Sequence, residues 1–194
     1  MKFFISVIIL LLTYVLTGCN QHSFGKLDKT PYATKECRRQ LSRGTEIDAR
    51  SKIDTIIVYK KKRKLTTYRH GKKIHEFRIS MGKYANRGTK IQMGDYRTPE
   101  GRYRIVRKKC DNRLYRSLMI SYPNASDKAR ARKRGVRPGG YITIHGQPKW
   151  NADGRGDNYT LSHDWTEGCI AVSNYAMDQL WKATQNGVKI DIHP

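Results

Sequence analysis

Apolar positions fall into three regimes along the chain. Residues 3–16 form one apolar run, broken only by Ser6, Thr13 and Tyr14. From Asn20 to about Lys52 the positions are polar and lack alternation, so this stretch is expected to be a tether carrying one helix over residues 34–41. Beyond it short β-branched segments take over. Residues 53–59 and 65–68 are predicted strands joined by a basic turn, which makes a hairpin. His70-Gly71-Lys72 is a second turn, and residues 73–81 set Ile74, Phe77, Ile79 and Met81 at packing positions. Residues 94–101 are dense in turn formers, and 102–106 resume an extended pattern. Residues 127–135 predict a helix ended at Gly135, and 141–145 a further strand. Residues 175–185 place Met177, Leu180 and Trp181 at helical spacing, and Asn186-Gly187 turns the chain into a last strand over 188–192. Closely spaced strands with one or two short helices predict a mainly β fold, a β-sandwich or barrel-like sheet rather than an alternating α/β one.

Length and composition narrow this to one domain. A chain of 194 residues has room for one core and a short extension, and 38% hydrophobic with 28% charged residues is a folded composition. The formal net charge of +23 makes a polyanion the first partner to consider. Its clusters, residues 60–64 and 130–134, are equally solvated faces of a turn and a helix. Nothing matches a zinc finger, an RNP signature or a basic zipper, so nucleic acid is not the expected partner.

The N-terminus sets the compartment. One positive charge at Lys2 precedes an apolar run too short to span a bilayer, which predicts a signal peptide over residues 1–18. The ending Leu16-Thr17-Gly18-Cys19 resembles a bacterial lipobox, which implies lipidation of Cys19, a lipidated tether over 19–52 and an anchor on the periplasmic side of the cell envelope. Asn20 favours the outer membrane in a Gram-negative host. Three cysteines remain. Cys37 and Cys110 either pair in an oxidising compartment or stay as small buried apolar residues, whereas Cys169 must stay free if it is to act.

Two segments set a reactive side chain beside glycine: Ile142-Thr143-Ile144-His145-Gly146 and Thr166-Glu167-Gly168-Cys169-Ile170-Ala171. A cysteine nucleophile needs an imidazole to take its proton and backbone N–H groups aimed at the oxyanion. His145, at a strand end, fits the base, its second ring nitrogen oriented by a carbonyl such as that of Gly146. His163, six residues before Cys169, is the competing base. A metal is not expected, since neither CxxC nor HExxH spacing occurs.

These residues resemble the L,D-transpeptidase family with the YkuD-type catalytic domain. His145 matches its first His, Thr166 its Ser/Thr, Gly168-Cys169 its Gly-Cys pair and Asn174 the Asn that follows. Gly94-Asp95-Tyr96-Arg97-Thr98-Pro99-Glu100-Gly101 matches its Gly-Asp-x-x-Thr-Pro-Glu-Gly turn, and Met81-Gly82-Lys83 its Gly-Lys strand end. The resemblance implies a catalytic domain over residues 53–193 that acts on peptidoglycan stem peptides. Cys169 would attack the third residue's carbonyl, release terminal D-alanine as a thioester forms, and pass the acyl group to an amine, without metal or cofactor. Gly168, Gly146 and Thr166 are then expected to shape the oxyanion site, and Trp165, Arg155 and Asn174 to contact substrate. Residues 147–165 are the expected lid or groove. Glu167 stands where the common signature has His, and Ala171 where many members have Arg, which leaves carboxylate recognition to Arg155 or another loop cation. A hydrolase of the same fold and an idle basic wall-binding module are the rival readings.

Overall fold

The computed structural model describes residues 34–44 and 47–194. The expected signal peptide, Cys19 and most of the tether lie outside the described residues.

Three strands form an antiparallel meander: β1 (Thr55–Tyr59), β2 (Lys64–Arg69) and β3 (Lys72–Arg78). The last strand, β8 (Lys189–His193), adds to β1 in parallel. The longest, β4 (Gly101–Asp111), is shared: its start pairs with β8 and its remainder with β5 (Tyr115–Ile120). A register shift between Ile105 and Arg107 lies where it changes partner, and such bulges bend a strand and raise its twist. Two short strands complete the sheet, β6 (Thr143–His145) beside β5 and β7 (Ile170–Ala171) parallel to β6. The order is β3-β2-β1-β8-β4-β5-β6-β7.

The two edges of this sheet then meet. Two residues past β3, Ser80 and Ala171 of β7 exchange backbone hydrogen bonds of 2.9 and 2.8 Å, and Gly82 bridges to Thr166. The sheet therefore curls back on itself, the barrel-like form of the expected mainly β fold, with Ile56, Val58, Leu65, Ile105, Leu118, Ile144, Ile170 and Ile190 buried.

Among the described residues four α-helices decorate it. The two expected in the domain are α2 (Ala125–Lys133) and α4 (Asn174–Ala183). Asn124 and Asp127 form a capping box at the start of α2, and Ser173 accepts the Ala176 N–H at the start of α4, which buries Met177, Leu180 and Trp181. In the stretch expected to be a tether, α1 (Lys35–Ser42) is capped by Thr34 and joined to β4 by a Cys37–Cys110 disulfide, with the two Cα atoms 6.0 Å apart. A single turn, α3 (Asp157–Thr160), lies within residues 147–165.

The basic cluster at residues 60–64 is in good part structural. Lys60 is buried and its Nζ meets Glu100 at 2.5 Å and the carbonyls of Gly88 and Thr98. Arg63 pairs with Asp164 at 2.9 Å and Lys64 with Glu76 at 2.7 Å. Charge that looked like a solvated face is half spent on fixing turns.

Candidate active site

Gly82, Gly146 and Gly168 stand where a Cβ would collide with a neighbour. Gly168, before Cys169, has φ of 130°, and a Cβ on it would stand 2.7 Å from the carbonyl oxygen of Arg97. A Cβ on Gly82 would stand 2.2 Å from the carbonyl oxygen of Tyr96. The turn that approaches so closely is built around Asp95, whose carboxylate accepts the N–H groups of Ile91, Gln92 and Arg97 and pairs with Lys90 at 2.7 Å. Burial raises the Asp95 pKa, but these bonds outweigh it and hold the carboxyl below its ordinary range. Thr98 Oγ1 accepts the Gly82 N–H at 3.0 Å, so the three motifs are tied together before any chemistry begins.

Thr166 closes the turn that presents the nucleophile. Its hydroxyl donates to the Cys169 carbonyl at 2.7 Å and accepts the Gly168 N–H at 3.1 Å. Asp164 fastens the same loop from the other side by accepting the Met81 N–H at 2.8 Å.

His145 ends β6, buried to 1% exposure. Its Nδ1 lies 2.7 Å from the Gly146 carbonyl oxygen, which can only accept, so Nδ1 carries hydrogen and Nε2 is left toward Cys169. Trp165 packs its ring edge-on to the imidazole with centroids 5.8 Å apart, and its Nε1 donates to the Thr160 carbonyl at 3.0 Å. The Cys169 sulfur is hydrogen-bonded to His145 and accepts the Thr143 N–H at 3.4 Å and the Thr143 hydroxyl at 3.5 Å. Burial pushes the thiol's pKa up. The hydrogen bond and charge of His145, with the two bonds from Thr143, more than reverse this and leave it below the ordinary thiol value. Cys169 is the free cysteine among the described residues and stays partly accessible.

Cys169 and His145 open into a cavity of about 690 Å³ that Trp165, Thr166, Glu167, Tyr141, Pro148 and Arg113 also line. Other expected site residues fall elsewhere. Arg155 is exposed, ion-paired with Asp153 at 2.7 Å, and is not among the residues lining the cavity. Asn174 instead fixes the groove wall: its Oδ1 accepts the Gln147 N–H at 2.8 Å and its Nδ2 donates to the Ala152 carbonyl at 3.1 Å. The His163 ring packs on Tyr159 with centroids 4.5 Å apart, outside the cavity lining, so of the two candidate bases the structure brings His145 to the thiol. Residues 147–165 are pinned rather than loose, because buried Asn151 bonds to Gln147, Asp157, Thr160 and the Gly156 N–H. Ala171 is fully buried between His145 and Ser80, where an arginine would not fit. Thr143 belongs to no motif of the sequence, but it stands two residues before His145 and so faces the same side of the strand. Among the described residues no group of three His, Cys, Asp or Glu could hold a metal ion.

A family model for the L,D-transpeptidase catalytic domain, YkuD, matches residues 53–192. The chain belongs to this L,D-transpeptidase family. Relatives agree at the level of sequence and fold. YafK of Escherichia coli is 29% identical over 116 residues, which cover 55% of this chain and 39% of YafK. The helical cell shape determining protein Pgp2 from Campylobacter jejuni superposes with a TM-score of 0.55 at 28% identity, over 72% of this chain and 47% of Pgp2. Bd1075 of Bdellovibrio bacteriovorus shares the fold at a TM-score of 0.50 and 24% identity, over 76% of this chain and 50% of its own. The chain thus spans half or less of the length of these relatives. In this L,D-transpeptidase domain the family's Gly-Asp turn, Gly-Lys strand end and Gly-Cys pair, far apart in sequence, meet at one thiol.

Proposed function

We propose that this protein is a cysteine acyltransferase of the bacterial cell wall, lipid-anchored through Cys19 on the periplasmic side of the envelope, that acts on peptidoglycan stem peptides. The observation that carries the reading is the Cys169 thiol, held toward its thiolate by His145 and Thr143 at the floor of a cavity large enough for a peptide. The Cys37–Cys110 disulfide supports an oxidising compartment.

In this mechanism the Cys169 proton passes to His145 Nε2, and the thiolate attacks the carbonyl of the third stem residue. The Cys169 N–H serves the oxyanion. The Gly168 N–H does not, since Thr166 Oγ1 already accepts it, so Gly168 and Thr166 act by shaping the turn. The imidazolium, its Nδ1 fixed by Gly146, returns the proton to the departing D-alanine amine as the tetrahedral adduct collapses to a thioester. An amine acceptor, deprotonated by the same His145, then takes the acyl group and regenerates the thiol. Trp165 shields the imidazole edge from water.

Mass spectrometry of tetrapeptide muropeptides incubated with the full-length protein tests this, with Cys169→Ala beside it. Loss of D-alanine together with a new crosslinked dimer, both absent in the variant, is the expected result. Loss without a dimer assigns water as acceptor and makes the protein a carboxypeptidase of the same fold. No change with either protein overturns the acyl-transfer reading.

A further inference from the structure

The cavity carries two opposite charges that the thiol chemistry does not use. Arg113 and Glu167 both line it, both are exposed, and neither takes part in the ion pairs of the described residues. The third charged side chain of the lining, Lys90, is already neutralised: it is 4% exposed, 2.7 Å from Asp95, and donates to the Gln92 carbonyl.

Strand register places these charges on opposite sides of the reacting pair. Ile144 lies beside Ile170 in the parallel β6–β7 pair, which sets Cys169 level with Thr143, as the Thr143 bonds to sulfur require. Glu167, two residues earlier, therefore lies beyond the Cys169 end. Ser117 lies opposite His145 in the antiparallel β5–β6 pair, and the Gly146 N–H donates to Arg116. Continuing back along β5 leads past the His145 end to the hairpin turn, where Asp111 accepts the Arg113 and Leu114 N–H groups and fixes the backbone under Arg113.

We infer that the cavity reads its donor by charge, with Arg113 taking the free carboxylate of the leaving amino acid and Glu167 an ammonium group on the acyl half. The inference rests on the acyl-transfer reading above. His145 must deliver its proton to the leaving nitrogen, so the leaving group lies on the His145 side. In a stem ending in D-alanine the carboxylate is one carbon beyond that nitrogen, on the side of Arg113. The acyl half lies over Cys169, and a diamino acid at its third position offers an ammonium toward Glu167. Guanidinium–carboxylate and carboxylate–ammonium contacts are charge-assisted and geometrically selective. With Arg155 outside the cavity lining and Ala171 in place of an arginine, Arg113 is the cation positioned to require a free C-terminus. The protein then acts at chain ends and not within longer peptides.

Steady-state kinetics on three synthetic muramyl tetrapeptides test this with the full-length protein. One carries diaminopimelate and a free D-alanine carboxylate, one the same residues with that carboxylate amidated, and one a norleucine at position three. The wild type is expected to prefer the free acid over the amide by about 10- to 100-fold in kcat/KM, mostly through KM. Arg113→Gln should lose that preference, the free acid falling to the level of the amide, and Arg113→Lys should restore part of it. Glu167→Gln should lose the preference for diaminopimelate over norleucine. Equal turnover of acid and amide by the wild type, or preferences unchanged in both Gln variants, overturns the inference and leaves the acyl-transfer reading standing. Absence of turnover on every peptide removes both.

Discussion

A cysteine at the start of the strand beside its histidine becomes a nucleophile only if the protein offsets the cost of burying a thiolate. At Cys169 burial acts against ionisation, and His145 and Thr143 act for it and prevail. Alkylation of Cys169 by iodoacetamide is therefore expected to titrate with a midpoint below that of an ordinary thiol, about 8.5. His145→Ala removes the largest favourable contribution and leaves burial in place, so the midpoint should move up past that value while kcat/KM falls by about 10²- to 10⁴-fold. A midpoint unmoved by that change would show that His145 does not set the thiol's charge. Gly168→Ala tests geometry instead of charge. It puts an L residue at φ of 130° and a Cβ 2.7 Å from a backbone oxygen, so a loss of about 2 to 4 kcal/mol in urea unfolding is expected, with turnover lost even in the folded fraction. Cys169, His145, Gly168 and Thr166 were legible because their chemistry is local to short motifs. Arg113 was not, because what brings it to the cavity is a hairpin turn between two strands and not a pattern in its own neighbourhood. Arg155 was misplaced for the converse reason: it is close in sequence to the catalytic loop, but Asp153 holds it outward.

Among elements, α1 is fastened to β4 by the Cys37–Cys110 disulfide. The disulfide closes a span of 73 residues and enters β4 at Cys110, next to the hairpin that carries Arg113. Closing a loop of that size removes unfolded-state freedom worth about 4 kcal/mol. Cys37→Ser with Cys110→Ser should therefore lower the Tm, and the wild type under reductant should fall to the same value. If reduction leaves the Tm unchanged, the bridge is not formed in solution. The elements that escaped sequence reading have physical reasons. The two-residue β7 is too short to show alternation. The second half of β4 and the start of β5 carry Arg107, Lys108, Lys109 and Arg116, which disguise their strand pattern. Lys108 makes sense only in three dimensions. It lies against the Trp181 ring and donates to that residue's carbonyl, and burial followed by Arg116 pushes its pKa down to about 8. The hairpins, the helix caps and the last strand were legible because turn residues and β-branched runs determine them locally.

At the scale of the whole molecule, closure of the sheet and the charge excess were the least visible in the sequence. Closure depends on isolated bridges from residues 80 and 82 to residues 171 and 166, and no periodicity announces a two-residue contact. The charge excess is visible as a number, +23, but its distribution is not. Acidic residues such as Glu76, Glu100, Asp95, Asp127, Asp164 and Asp178 are taken up in ion pairs within the fold. What remains outside is an excess of lysine and arginine with little to balance it, and such a field draws the protein to a polyanionic surface without specifying what it does there. Charge attraction and catalysis should therefore separate. At about 0.05 M salt both wild type and Cys169→Ala are expected to sediment with purified peptidoglycan sacculi. At about 1 M, where screening acts within about 3 Å, both should stay in the supernatant. Raising salt should also lower kcat/KM on intact sacculi by slowing encounter, while kcat on a small soluble muropeptide stays nearly constant. Retention that survived 1 M salt would mean a shaped wall-binding site beyond the net charge. Salt-sensitive retention with no turnover by either protein would reduce it to a basic wall-binding module.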